Sequence, residues 1–276
     1  MLIIRVAYMS FSINNAPNIN SSFASQKSSA TSFERLSSGS RINHAGDDAA
    51  GLAIAERITT KLDGFDAAIK NSGNAISSIQ VADGALSSLS KNIGRIQELA
   101  IQSANGSLTD RDRQALQKEA TQLIDESNSI LSKTNFNGKS LLSSDENTNV
   151  QLESAGSNIS ISGKNLAKEF EDLGFNDIDI SRQDSAVAAI DTLKQASEET
   201  VGRAAELGAF SNRIESSIDN LSSSRINSAE AKSRITDTDF AKTATDLITS
   251  QIQNQVQISL QAQANSQRST VLKLLS

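Results

Sequence analysis

The feature that most constrains this chain is a run of large apolar residues at regular spacing: Ile58, Leu62, Phe65, Ile69, Ile76, Ile79, Leu86, Leu89, Ile93, Ile96 and Leu99. The steps are three, four or seven residues, the period of a long helix with one narrow seam. A helix from Ala49 to Ala104 would be about 84 Å long at about 1.5 Å per residue. So thin a stripe on so long a rod requires other helices beside it. Val187, Ile190, Leu193, Val201, Ala204, Leu207, Ile214, Ile218 and Leu221 supply a second stripe, running to about Ala231. Asn105-Gly106 is suited to end the first helix, and Thr109-x-x-Asp112 reads as a capping box. The helix it opens carries Leu116, Ala120, Leu123, Ser127 and Ile130 on one face and should fold back on the first.

From Asn135 to Ser181 the period changes. Residues Asn149 to Glu153 and Asn158 to Ile161 alternate polar and apolar around Ala155-Gly156, which predicts a β-hairpin. Asn165 to Leu173 reads as a helical turn and Asp177 to Ile180 as a short strand, before a second capping box at Ser181-x-x-Asp184.

The ends differ. Pro17 sets the start of a first helix at about Asn18, with Phe23, Lys27, Ala30, Phe33 and Leu36 at helical spacing. Ser37 to Gly46 breaks it from the long helix, whose start Asp47 and Asp48 cap. Beyond Ile235, Ile248, Ile252, Val256 and Leu260 repeat every four residues among seven glutamines, and after Asp246 only Arg268 and Lys273 are charged. An amide-rich, nearly uncharged helix suits packing among many copies. A membrane-surface helix would want a basic polar face and bulky aromatics opposite.

Composition narrows the function. Aromatic residues are 4% of the chain and Trp is absent, which fits narrow helix seams better than one globular core. A net charge of −6 gives no basic footprint for nucleic acid. No run approaches the roughly 18 apolar residues of a membrane span, and MLIIRVAY lacks the parts of a secretory signal. The absence of Cys excludes disulfides. His44 stands outside any HExxH pattern, and no nucleophile–base pair, phosphate loop or metal spacing occurs. The expectation is no enzyme, with no catalytic, cofactor-binding or metal residues.

Several blocks carry a family resemblance. ERLSSGSRIN (Glu34 to Asn43), DDAAGLAIAERI (Asp47 to Ile58), ELAIQSANG (Glu98 to Gly106) and NFNGKSLL (Asn135 to Leu142) resemble the amino-terminal signature of bacterial flagellin. RITDTDFAK (Arg234 to Lys242) and LQAQANSQRSTVLKLLS (Leu260 to Ser276) are similar to its carboxy-terminal signature. Met9 begins MSFSINN, which resembles where family members start.

The resemblance implies a mainly α chain: a long antiparallel helical hairpin or coiled-coil rod with a small β-hairpin region and paired terminal helices. Its parts would be residues 1–46 and 234–276 (inner tube), 47–134 and 183–233 (rod) and 135–182 (hairpin region). It implies a subunit of the extracellular flagellar filament, serving motility and exported unfolded through a type III channel without a cleaved signal peptide. Partners would be further copies of the chain, a chaperone on about residues 235 to 276, and filament cap and hook-junction proteins. Polymerisation would fall to Phe23, Phe33, Leu36, Ile248, Ile252, Val256, Leu260, Leu272 and Leu275. In some members an animal Toll-like receptor reads an Arg, a Leu and a Glu, matched here by Arg95, Leu99 and Glu119. Ser143, Ser144, Ser154 and Ser157 are candidate O-linked sugar acceptors. The rivals are a hook–filament junction protein and a coiled-coil adaptor or membrane-surface protein.

Deleting Ile252 to Ser276 should leave a soluble, largely helical monomer, checked by light scattering and circular dichroism; full-length filaments from the truncated chain would refute the reading of the carboxy-terminal helix.

Overall fold

The computed structural model describes residues 16–152 and 158–275, with side chains from residue 23 onward except 268 and 271–275. The elements are α1 (Ala16–Ser38), α2 (Ala49–Ser103), α3 (Asp110–Lys133), β1 (Asn135–Phe136), β2 (Lys139–Ser140), β3 (Thr148–Gln151), β4 (Asn158–Ile161), α4 (Leu166–Asp172), α5 (Gln183–Thr236) and α6 (Phe240–Leu275), with a 3₁₀ turn at Phe175–Asp177. The mainly α class read from the sequence holds. Two compact units result: Met1–Thr60 with Ser228–Ser276, and Lys61–Asn227.

In the unit Lys61–Asn227, α2 buries Phe65, Ala68, Ser72, Ala75, Ile79, Ala82, Leu86, Leu89, Ile93, Ile96 and Ala100. Leu99 and Ser103 are buried with them; as far as Ile96 the steps alternate three and four, so the period predicted from large residues is completed by Ala and Ser between them. Helix α5 does the same with Ala186, Ala189, Leu193, Ala196, Thr200, Arg203 and Leu207. Val187 and Val201, expected in this seam, are exposed, because Ala186 and Thr200 hold the adjoining places. Small residues let helix backbones approach, and close-packed interiors reward that fit. On α3 the buried set is Ala120, Ile124, Ser127 and Leu131, with the predicted Leu116, Leu123 and Ile130 half-buried beside it. Arg95 of α2 meets Glu119 of α3 and Asp66 of α2 meets Arg225 of α5. Both neighbours therefore run antiparallel to α2, since near its end Ser103 meets Arg113 at the start of α3 and the Ile180 carbonyl just before α5.

Two arginines are buried without matching carboxylates of equal depth. Arg113 donates to the carbonyls of Ser103 and Leu108, closing the carbonyl-rich end of α2 where a cation is favoured. Arg203 donates to the Ser162 carbonyl at 2.9 Å and to Glu206 at 3.1 Å, tying α5 to the segment after β4. The Thr109 capping box forms: its hydroxyl accepts from the Asp112 N–H, and the Asp112 carboxylate accepts from the Thr109 N–H at 3.1 Å. The hydroxyl and N–H of Thr109 hold the Asp112 carboxyl below its ordinary range.

The β region departs from expectation in three places. β3 pairs antiparallel with β4, as the alternation predicts, with the loop 153–157 outside the described residues. A second hairpin joins β1 to β2 through Asn137-Gly138, at φ 50° and 79°. Both φ values are positive, as a two-residue primed turn requires, and Asn-Gly supplies them with least strain. Asp177 to Ile180, expected as a strand, pair with no strand among the described residues: Asp177 ends the 3₁₀ turn, and beside Ile178 and Ile180 the Gln117 side chain takes a partner's place. Its Oε1 accepts from the Ile180 N–H at 2.6 Å and its Nε2 donates to the Ile178 carbonyl at 3.2 Å. The capping box at Ser181 and Asp184 does not form, since the Ser181 N–H donates to Asp179 at 2.8 Å and α5 begins at Gln183. α1 starts at Ala16, two residues before the expected Asn18, because Pro17 is tolerated in a first turn.

Leu99 lies in this core at 1% exposure. Leu99→Ala should cost about 2–5 kcal/mol of stability, read as a lower denaturant midpoint with an unchanged slope.

Candidate assembly surface

In the unit Met1–Thr60 with Ser228–Ser276, α1 packs on α6. The corner that pairs them is built from backbone bonds. α1 stops at Gly39, whose φ of 71° suits a left-handed C-terminal cap. Ser40 bridges Asp237 antiparallel, the Arg41 N–H donates to the Thr236 carbonyl at 2.6 Å, and the Thr238 N–H donates to the Gly39 carbonyl at 3.0 Å. Asp239 then caps α6 by accepting from the Lys242 N–H at 3.1 Å. Before α2, Asp47 accepts from the N–H groups of Asn43 and His44 at 3.0 Å each, and Asp48 accepts from the Gly51 N–H at 2.8 Å. Of the two acids expected to cap α2, Asp48 does so, whereas Asp47 closes the preceding loop on itself. His44 is bonded locally, its Nε2 lying 2.7 Å from Glu34.

The seam between α1 and α6 is polar. One row of covered positions on α1 is Ser25, Ser29, Ser32 and Leu36, and one on α6 is Thr243, Leu247, Ser250, Asn254, Gln257 and Gln261. Both rows alternate steps of four and three, the spacing of a coiled-coil seam, yet eight of these ten residues carry hydroxyls or amides; Thr31, Glu34, Arg35 and Ala244 are half-buried outside the rows. Ser32 and Ser250 are only 8% and 5% exposed. The Ser29 and Ser250 hydroxyls bond at 2.8 Å, and Asn254 Nδ2 donates to Ser29 at 3.3 Å.

The apolar residues point outward instead. Phe23 and Phe33 on α1 are each 66% exposed, and Ile248, Ile252, Val256 and Leu260 form a stripe on α6 with Ile252 at 59%. Leu36 is half-buried, and the side chains of Leu272 and Leu275 lie outside the described residues. Magnitudes rank the two faces. A hydroxyl or amide bond contributes about 0.5–1.5 kcal/mol net, whereas full burial of one Ile, Leu or Phe contributes about 1.5–3 kcal/mol. The outer face therefore holds more unrealised free energy than the seam supplies.

Of the proposed receptor triad, Arg95 and Glu119 come together on the surface of the other unit. Arg95 Nε and Nη2 donate to Glu119 Oε1 at 2.9 and 2.7 Å, and Nη1 donates to Glu98 at 3.0 Å. Those two carboxylates raise the Arg95 pKa. Leu99 is buried between helices and presents no surface. Ser143 and Ser144 are half-buried, with the Ser143 hydroxyl bonded to Ser140 at 2.6 Å; Ser154 and Ser157 lie outside the described residues. Among the described residues no group of three or more His, Cys, Asp or Glu could hold a metal, and no helix is long and apolar enough to cross a membrane.

The serines and Asn254 of the seam escaped sequence reasoning, which looked for apolar periodicity. Their signal was present as the same four-three spacing written in small polar residues.

Comparison with known proteins agrees with this architecture. Residues 9–148 match the bacterial flagellin N-terminal helical region and residues 199–275 the bacterial flagellin C-terminal helical region. The chain is 41% identical to a flagellin of Halalkalibacterium halodurans over 251 residues, covering 88% of this chain and 90% of the relative. It is 38% identical over 259 residues to the flagellar filament 30.7 kDa core protein of Treponema maltophilum, covering 88% and 91%. The crystal structure of Bacillus cereus flagellin superposes with a TM-score of 0.50 at 28% identity, covering 55% of this chain and 88% of that one. A putative flagellar hook-associated protein from Vibrio parahaemolyticus shares the fold at a TM-score of 0.59 and 16% identity, covering 69% of this chain and 100% of that one. Two terminal blocks in order, long coverage and matched helices together make this chain a member of the bacterial flagellin family, a subunit of the flagellar filament.

Proposed function

We propose that copies of this chain polymerise through α1 and α6, by way of the exposed Phe23, Phe33, Ile248, Ile252, Val256 and Leu260 together with Leu36, Leu272 and Leu275. One observation carries the reading. The α6 apolar residues are more than half exposed on average along a helix almost free of charge, a surface that water disfavours and that identical neighbours can cover. Contacts repeated head to tail without closing produce a helical filament. On this reading residues 1–46 and 234–276 form the inner tube, 47–134 and 183–233 the rod, and 135–182 the solvent-facing hairpin region.

The protein acts structurally, in motility, without catalysis, as part of an extracellular filament. It is exported unfolded through the flagellar type III channel, its segment from about 235 to 276 held by a chaperone until export. Cap and hook-junction proteins meet the two ends of the growing polymer. A host Toll-like receptor, where one is engaged, reads Arg95 and Glu119, with Leu99 supporting them from the core. Family membership supports each of these partners. The hook–filament junction alternative has less support, because its likeness here is one of fold at low identity.

Ile252→Asp should raise the critical concentration for seeded growth at least about tenfold, since losing one buried Ile is worth about 1.5–3 kcal/mol and 1.4 kcal/mol is tenfold. Growth at the parent's rate would refute the assignment. For the receptor, Arg95→Ala with Glu119→Ala should weaken signalling in a reporter assay while thermal stability stays at the parent's value; undiminished signalling would remove that contact.

A further inference from the structure

We infer that Asn105, at the corner between α2 and α3, is a self-modifying site: the Gly106 nitrogen attacks the Asn105 side-chain amide and converts it to a mixture of aspartate and isoaspartate. The other Asn-Gly pair, Asn137-Gly138, is held by the fold in a conformation that prevents the same reaction.

The two pairs look alike in sequence. Glycine leaves its own backbone nitrogen unshielded, and the preceding asparagine amide lies one ring closure away from it. In the reaction the Gly106 nitrogen loses its proton to solvent and bonds to Asn105 Cγ. The Cγ–Nδ2 bond breaks and ammonia leaves. Water then opens the five-membered imide at one of its two carbonyls, which gives aspartate or, with the main chain rerouted through the side-chain carboxyl, isoaspartate. The sum is amide plus water to carboxylic acid plus ammonia, so no oxidant, reductant or second protein is needed.

Geometry separates the pairs. Asn105, Gly106 and Ser107 are all exposed, and the Gly106 N–H donates to no acceptor among the described residues, so solvent can take its proton. Asn105 Oδ1 accepts from the Ser107 N–H at 3.1 Å and from the Ser107 hydroxyl at 3.0 Å. Two donors on that oxygen draw charge from Cγ and stand where negative charge develops as the nitrogen adds, the arrangement of an oxyanion hole. They also hold the amide in one orientation beside the backbone. Asn137 is exposed too, but its φ of 50° is left-handed, and the pairing of Phe136 with Lys139 closes the turn around it. In a left-handed residue Cβ and the next nitrogen stand nearly anti across the Cα–C bond, so ring closure there would first require β1 and β2 to part. Asn105 has a negative φ, and in the helical and the extended conformation alike these two atoms stand closer together.

The corner is sensitive to the change. The Asn105 carbonyl accepts from the Leu108 N–H at 3.3 Å, and the Leu108 carbonyl in turn accepts from Arg113 at 3.2 Å. Isoaspartate adds a methylene to the main chain at this point, and either product puts a negative charge at the carbonyl-rich end of α2, where it is disfavoured.

The test ages the purified full chain at mildly alkaline pH and follows both sites by peptide mass and by isoaspartate-specific methyl transfer. Residue 105 should convert at least about tenfold faster than residue 137, a modest ratio beside the roughly hundredfold that a 1 Å misplacement of reacting atoms can cost. Ser107→Ala should slow conversion at residue 105 at least about threefold, less than a buried oxyanion donor is worth because water competes here, and should leave residue 137 unchanged. Gly106→Ala should nearly stop conversion at residue 105, and its new Cβ meets only the Gln183 side chain, at an ordinary 3.8 Å. In denaturant, where neither pair is held, the two sites should convert at rates within about threefold of each other. The inference is overturned if residue 137 of the folded chain converts as fast as residue 105, if Ser107→Ala converts at the parent's rate, or if the difference between the sites persists in denaturant.

Discussion

Everything in the unit Lys61–Asn227 depends on the fit of α2, α3 and α5 around one seam, and that fit depends on where side chains are small. Ala68, Ser72, Ala75 and Ala82 on α2 and Ala186, Ala189 and Ala196 on α5 stand at seam positions. There a larger group would hold the backbones apart and leave the intervening Leu and Ile short of contacts. Leu86, Leu89, Ile93 and Ile96 then fill the space completely. Two polar side chains are placed where the backbone can answer them, Arg113 at the end of α2 and Gln117 on the segment before α5.

The terminal unit follows the opposite rule. Its helices bury hydroxyls and amides and expose phenylalanine and isoleucine. Inverted amphipathicity is costly for a subunit in isolation and fitting for one whose working state has neighbours on every side. The two units differ accordingly: one completes its own core, and the other leaves large apolar side chains exposed within the subunit.

Much of this was legible in the sequence. The 3.5 period, the caps at Asp48 and Thr109, and the alternation around Val150 and Ile159 all describe local chemistry, and local chemistry is read from neighbours in the chain. Asn137-Gly138 carried an equally local signal for the first hairpin. Harder to read were features set by contacts distant in sequence: Gln117 standing in for a strand, and the exposure of Val187 and Val201. In each case a competing partner, available only after the chain has folded, decided which of two plausible local arrangements persists.

By itself the sequence determined the helices, their length, the near absence of charge on the last of them and the family to which the chain belongs, because periodicity and composition act through residues close along the backbone. Tertiary structure alone decided which stripe of each helix is buried. For α2 and α5 it chose the stripe threaded with alanine, and for α1 and α6 it chose the polar one. Leu99 went to the core and Ile252 to the surface, although both are large and apolar, because burial depends on which faces the corner at Gly39 and the packing of three helices bring together.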